Sequence, residues 1–206
     1  MKTITRFATA AFALAAAAAP AAAQVNVAGT TFGCFGLGCN PAGQSTAVYN
    51  VPGSTGGSVT FTGASFSGTT NPFTGGFTVS NFGSFVTAGS GGSSFSTPFT
   101  LLFAISTPAG STQPTANLTV AGNLGTNGQT RDVSYTFTGG PVPFSFPSGS
   151  GSITLDNGFI GSNNQATITG RVTASSVVPE PSTYALLATG LVGLAGAVVR
   201  RRNASV

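Results

Sequence analysis

The sequence predicts an all-β protein with a single β-sandwich (jelly-roll-like) domain at residues 24–177. Three observations lead to this prediction. Apolar and polar residues alternate along short segments, turn-forming residues separate those segments, and the middle of the chain has no apolar residues at helical spacing. Alternation with a period of two places apolar side chains on one face of a strand, and closely spaced strands of this kind are typical of sandwiches and barrels.

The clearest predicted strand covers residues 99–105, where large apolar residues occupy every second position. Their side chains are expected on the buried face of a sheet. In other segments Thr fills the alternate positions, and this β-branched but polar residue suits the exposed face of a strand. The alternating apolar residues of the first segment are Phe99, Leu101, Phe103 and Ile105, and further segments occur at 59–61, 77–79, 118–120, 133–137, 153–155 and 166–172.

Turn-forming residues lie between these segments. Asp156, Asn157 and Gly158 separate two apolar segments and predict a β-hairpin, because Asn and Gly tolerate the positive φ values of tight turns. Pro143 and Pro147 flank another short apolar segment. Proline cannot donate a ladder hydrogen bond, so this segment is predicted to be an edge strand or a loop.

Residues 1–23 are predicted to be a secretory signal peptide. Lys2 and Arg6 precede an uncharged, alanine-rich segment, and three small residues end at Ala23. Signal peptidase is then expected to cleave between Ala23 and Gln24, which makes it the first processing partner. The alternative is an N-terminal membrane anchor, but the apolar segment is shorter than the ~20 residues that span a bilayer core.

The net charge of +4 comes from the terminal segments. Between residues 24 and 178 the charged residues are Arg131, Asp132, Asp156 and Arg171, so this part is neutral. Nucleic-acid binding requires clustered Lys and Arg. The sequence therefore excludes nucleic acid as a partner.

The tail at residues 178–206 has three parts. A Pro-Glu-Pro tripeptide comes first, an uncharged apolar segment follows at 184–199, and three arginines come next. The apolar segment predicts a short transmembrane helix of about 24 Å, with the arginines in the cytoplasm and the domain outside. The residues of the tripeptide and of the basic stop are Pro179, Glu180, Pro181, Arg200, Arg201 and Arg202.

This order of tripeptide, apolar segment and arginine cluster resembles the PEP-CTERM sorting signal, and the resemblance covers only the tail. It implies processing by an exosortase, an integral-membrane enzyme, in Gram-negative bacteria that make exopolysaccharide. It also implies transient membrane anchoring through the C-terminal helix, followed by delivery to the cell surface or the extracellular matrix. The alternative is a permanent membrane anchor.

The inventory of chemically active residues is small. The chain has no His, and the only acids before the tail are Asp132 and Asp156. A Ser-His-Asp triad and a His-based zinc site are therefore excluded, and a glycosidase would need these two carboxylates to meet. We accordingly predict no enzymatic activity, no catalytic residues, no metal site and no cofactor.

Cys34 and Cys39 are the only cysteines. An exported protein meets an oxidising compartment, so a disulfide between them is the favoured prediction. A redox pair is the alternative, although redox motifs usually have two intervening residues rather than four. A metal pair would need more ligands than the sequence offers.

Two functions follow for the domain. The first is a non-enzymatic structural protein of the cell surface or biofilm matrix, exported and sorted by its tail. The alternative is a carbohydrate-binding module for exopolysaccharide, since aromatic rings stack on sugars. Tyr49 and Tyr135 are the tyrosines before the tail, and Tyr135 falls in the buried register of its predicted strand.

Overall fold

A computed structural model describes residues 24–70, 75–90, 94–125, 132–161, 164–176 and 188–193. The β unit comprises Ala23–Ser176. Its strands are antiparallel to their neighbours, which confirms the predicted all-β class. The strands are β1 (Val25–Phe35), β2 (Thr46–Asn50), β3 (Thr55–Thr62), β4 (Ser65–Thr70), β5 (Phe77–Val79), β6 (Ser84–Ser90), β7 (Ser94–Thr107), β8 (Thr115–Asn123), β9 (Asp132–Phe137), β10 (Val142–Phe146), β11 (Gly149–Leu155), β12 (Gly158–Ile160), β13 (Gln165–Thr167) and β14 (Gly170–Ser176).

The first layer is a six-stranded sheet in the order β12-β9-β8-β7-β1-β4. Its long central strands, β1 and β7, pair over most of their length. Strand β7 contains the alternating apolar residues predicted at 99–105, whereas β1 was not among the predicted strands. One cross-strand row joins Phe35, Phe99, Leu118 and Phe137. Rows of this kind stabilise a sheet through side-chain contacts between directly opposed residues.

The second layer is built from two four-stranded sheets, β10-β11-β14-β5 and β13-β6-β3-β2. Two backbone hydrogen bonds join them: Phe82 N–H donates to the Ile168 carbonyl, and Ile168 N–H donates to the Gly83 carbonyl, both at 2.8 Å. Residues 77–90 therefore run antiparallel to residues 165–176 with one interruption. The two small sheets thus continue each other as one layer.

Phenylalanine rings fill the space between the layers. Phe61 and Phe85 of the second layer approach Phe99 of the first, with ring centroids 4.9 and 5.2 Å apart respectively, and Phe82 meets Phe103 at 5.4 Å. Tilted and edge-on contacts are the geometry that aromatic quadrupoles favour. The prediction that Phe99, Leu101, Phe103 and Ile105 are buried is confirmed, and a buried side chain of this size contributes roughly 1.5–3 kcal/mol.

The predicted hairpin at Asp156, Asn157 and Gly158 is wrong. Strand β11 pairs with β10 and β14, whereas β12 pairs with β9 in the other layer. The polar side chains of this connection bond to separate parts of the fold: Asp156 Oδ2 accepts from Thr169 Oγ1 at 2.7 Å, and Asn157 Oδ1 accepts from Phe137 N–H at 2.8 Å. The connection therefore crosses between layers.

The prediction of an edge strand or a loop around Pro143 is confirmed as an edge strand. Strand β10 pairs only with β11 and lies at the end of its sheet. Pro143 lies within β10, and Pro147 follows the strand. An edge position tolerates a residue that cannot donate to a neighbouring strand.

The predicted terminal segments lie largely outside the described residues. This holds for the signal peptide at 1–23 and for most of the predicted transmembrane helix at 184–199, of which residues 188–193 are described as helical. Within the described part of the chain, no helix has the length and apolar character needed to cross a membrane.

Candidate functional site

The processing signals border the β unit directly. Gln24, which follows the predicted signal-peptide cleavage point, is exposed and immediately precedes β1. At the other end, β14 stops at Ser176, just before the predicted tail. Removal of both terminal segments would therefore take no residue from any strand. The predicted cleavage residue Ala23 and the six predicted sorting residues of the tail lie outside the described residues.

The predicted disulfide is present between Cys34 and Cys39, with the two Cα atoms 6.1 Å apart. Gly36 and Gly38 adopt φ values of 105° and 70°, which let the chain turn within so short a ring. Gly36 N–H also donates to the Pro98 carbonyl at 2.9 Å, which fixes the loop to β7. Leu37 at the tip is 92% exposed.

The ionisable side chains are dispersed. Asp132 is the first residue of β9. Asp156 lies near the other end of β9, because its neighbour Asn157 accepts a hydrogen bond from Phe137, the last residue of that strand. Five residues at ~3.3 Å each separate the two ends of β9 by about 16 Å, so these acids do not form a carboxylate pair. Arg171 donates to the Gly75 carbonyl through Nε and Nη2, at 3.2 and 2.9 Å.

No group of three potential metal-ligating side chains occurs among the residues that the structure describes. His, Cys, Asp and Glu are the side chains in question, and the two cysteines already form the disulfide. The two domain acids lie at separate places, as described above, and Arg131 is not among the described residues.

Tyr135 connects the two layers. It is buried, and its hydroxyl donates to the Thr167 carbonyl of β13 at 3.0 Å. Burial raises the pKa of its phenol above the ordinary value of 10.0, and the negative charge of Asp156 raises that pKa further. Gly158 lies against the ring, and a Cβ there would collide with the phenol. Sequence reasoning placed Tyr135 in the core but assigned Gly158 to a turn.

Exposed aromatic surface is scarce in the described β unit. Tyr49 is half-buried between Phe35 and Phe95, with ring centroids 5.7 and 5.9 Å away. Phe159 on β12 is 74% exposed, and the sequence analysis did not single it out because its strand was assigned to a hairpin. Neither tyrosine therefore offers a free stacking surface.

A cleft of about 310 Å³ opens where the ends of β8 and β9 approach β10 and β11. Phe137, Val142 and Leu155 supply apolar surface, and Asn117 and Thr154 supply polar groups. This volume lies at the lower end of the range for ligand sites, and none of its lining residues is charged. The sequence analysis missed the cleft because separate strands and loops form it, and no local motif marks it.

Comparison with known proteins gives one match. The family model of the PEP-CTERM protein-sorting motif matches residues 177–202. No curated protein and no solved structure matches the chain. The match includes the tripeptide at 179–181 and the three arginines at 200–202. The chain therefore carries a PEP-CTERM protein-sorting motif in its tail, the mark of an exported protein that an exosortase sorts to the cell surface.

Proposed function

We propose that the β unit is a non-enzymatic structural protein of the cell surface or biofilm matrix, released there after both terminal segments are removed. The observation that carries this proposal is the position of the processing signals. The predicted cleavage point lies immediately before β1, and the sorting motif begins one residue after β14 ends at Ser176. The complete sandwich can thus be cut free as one body.

The composition of the sandwich also supports a structural role. Its core is a continuous set of apolar side chains, and its cross-link is a disulfide that suits an oxidising compartment. The two described acids are associated with opposite ends of β9, which gives no support to paired-carboxylate chemistry. We therefore assign the unit no reaction.

The proposed order of events follows from the two signals. Signal peptidase cuts between Ala23 and Gln24 during export. The segment at 184–199 then holds the chain transiently in the membrane, with the arginines at 200–202 on the cytoplasmic side. An exosortase acts near the tripeptide at 179–181 and releases the sandwich to the surface or matrix.

Intact-mass analysis of the protein from the surface and medium of its native host tests this proposal. We expect a species that lacks residues 1–23 and the segment from near Pro179 onward. A mass that retains residues 184–206 would instead identify a permanently anchored domain and contradict release.

The cleft supplies a second candidate, a carbohydrate-binding module for the host's exopolysaccharide. Its uncharged lining combines the Phe137 ring with Asn117 and Thr154, a combination suited to a neutral sugar. A pull-down on the purified polysaccharide tests this idea, with Asn117→Ala as the variant and Asn26→Ala, an exposed asparagine on β1, as its control. Saturable binding that only the first variant weakens would favour this candidate, and absence of binding would leave the structural role.

A further inference from the structure

Six strands lie at the ends of sheets: β12 and β4 in the first layer, and β10, β5, β13 and β2 in the second. An edge strand carries unpaired backbone N–H and C=O groups that can pair with another chain. Proteins usually block such edges with proline, charge, short strands or covering segments. The six edge strands of this protein differ in whether they carry these features.

Four of the six edges are protected by proline, by a covering segment or by their short length. Strand β10 contains Pro143, and Thr112 occupies its outer side: Thr112 N–H donates to the Ser145 carbonyl at 2.8 Å, and Ser145 N–H donates to Thr112 Oγ1 at 2.9 Å. Strands β5, β12 and β13 are only three residues long. Strand β4 contains neither proline nor charge, but it packs on the second layer: the ring of Phe77 lies against Gly68, and Thr70 Oγ1 donates to the Ala174 carbonyl of β14 at 3.0 Å.

Strand β2 (Thr46–Asn50) has none of these protections. Its sequence, Thr-Ala-Val-Tyr-Asn, contains neither proline nor a charged residue, and its pairing with β3 has no bulge. Within the described ranges of the chain, no group outside β3 makes a hydrogen bond to residues 46–50. Val48 at the centre of the strand is 57% exposed. Among the residues that the structure describes, nothing therefore blocks pairing along this edge.

We propose that β2 pairs antiparallel with β2 of a second copy of this chain, about a two-fold axis at Val48. The inference rests on the proposed structural role and adds a mode of assembly to it. In this register Val48 lies opposite its own counterpart, Ala47 lies opposite Tyr49 of the other copy, and Thr46 lies opposite Asn50. A two-fold axis makes each contact occur twice, as in other isologous dimers.

The side chains of β2 fit this register. Strand residues alternate between faces, so Ala47 and Tyr49 share the inner face of the sheet and Val48 lies on the outer one. A small residue then faces a large one on the inner side, and two β-branched residues meet on the outer side, a favourable cross-strand pair. No charges oppose each other, because β2 has none.

The low charge of the whole unit favours the same contact. Residues 24–176 contain two arginines and two aspartates, so copies do not repel each other through net charge. A single pair of five-residue strands buries little surface, and small interfaces are usually transient. The dimer is therefore expected to be weak and to increase with protein concentration.

Analytical sedimentation over a range of protein concentrations measures the fraction of dimer and so tests the proposal. The protein is recovered from its host, and charged residues are introduced at position 48, on the proposed axis. Val48→Lys and Val48→Glu each place two like charges together and should weaken the dimer at least tenfold. A 1:1 mixture of the two variants should restore dimer, because the charges across the axis are then opposite. Both variants should keep the melting temperature of the parent protein, since Val48 is exposed.

Val86→Lys is the matched control. Val86 is 39% exposed and shares the cross-strand row of Val48, but it lies on the interior strand β6. Edge pairing predicts that this variant dimerises like the parent protein. Equal loss of dimer in this variant, failure of the mixed sample to recover, or a parent protein that is monomeric at every concentration would overturn the proposal. Normal surface delivery of a monomeric protein would leave the proposed function intact.

Discussion

The β unit is described by its structure, whereas the tail is described by its similarity to a known motif. The unit has a packed core, and each of its described strands pairs with at least one other, yet it matches no curated protein and no solved structure. The tail matches a family model over residues 177–202, yet its described part is one six-residue helix. A short linear signal must retain the residues that its processing enzyme recognises. Many different sequences, by contrast, can fill a sandwich core.

This contrast implies that location and stability are controlled by separate parts of the chain. Substitutions in the tail should change where the protein is found and leave its unfolding unchanged. Substitutions in the core should change unfolding through lost packing.

Glu180→Ala should reduce the processed, released protein at least tenfold, because Glu180 is the acid of the sorting tripeptide. The measurement is the ratio of processed to full-length protein in cell fractions. Asp156→Asn, which changes an acid of the β unit, is the control and should be processed normally. Normal processing of the Glu180 variant would mean that the tripeptide does not direct sorting.

Phe99→Ala should lower the free energy of unfolding by about 3–5 kcal/mol, because it leaves a cavity where four rings meet. Phe99 is 1% exposed and contacts Phe35, Phe61 and Phe85. Urea denaturation of the recovered protein measures the change. Phe159→Ala removes a ring that is 74% exposed and should stay within about 0.5 kcal/mol of the parent. Similar losses in the two variants would contradict the assigned core.

Replacement of Cys34 and Cys39 together by Ser should cost about 2 kcal/mol, because the unfolded chain regains the freedom of the small loop. Thermal unfolding of parent and variant measures this cost. Leu37→Ser alters the exposed tip of the same loop without opening the ring, and its melting temperature should stay at the parent value. Equal melting temperatures for all three proteins would show that the disulfide is not stabilising.

Tyr135→Phe should cost about 1 kcal/mol near neutral pH, because it removes the hydrogen bond to the Thr167 carbonyl. The pKa of Tyr135 is raised in the folded protein, so above pH 10.0 the unfolded state loses its proton first. Stability of the parent should therefore fall as pH rises above that value, whereas this contribution is absent from the variant. Denaturation curves at pH 8 to 11 compare the two slopes, and parallel slopes would contradict the assignment.

The sequence predicted the strands well where burial alone decides the pattern. Between Phe99 and Ile105, apolar residues occupy every second position because one face of β7 packs on the other layer. This requirement shows in the local sequence. Pro143, which cannot donate a ladder hydrogen bond, likewise predicted an edge strand or a loop, and β10 is an edge strand.

Predictions from local residue types were wrong where the structure depends on which strands pair with each other. Asp156, Asn157 and Gly158 suit a hairpin, but the same polar residues serve a crossing between layers once Asn157 bonds to Phe137 and Asp156 bonds to Thr169. The open edge at β2 and the cleft were equally unpredictable, because each depends on the order of strands in the sheets.

The interrupted pairing of residues 77–90 with residues 165–176 has a consequence for the timing of folding. Its partners are about 80 to 95 residues apart, and closing so long a loop costs entropy before any of its hydrogen bonds form. Topologies dominated by distant pairs fold slowly. The second layer also cannot be completed until β14, the last strand, has been made. Such delayed folding suits a chain that must pass through a narrow translocation channel before it becomes compact.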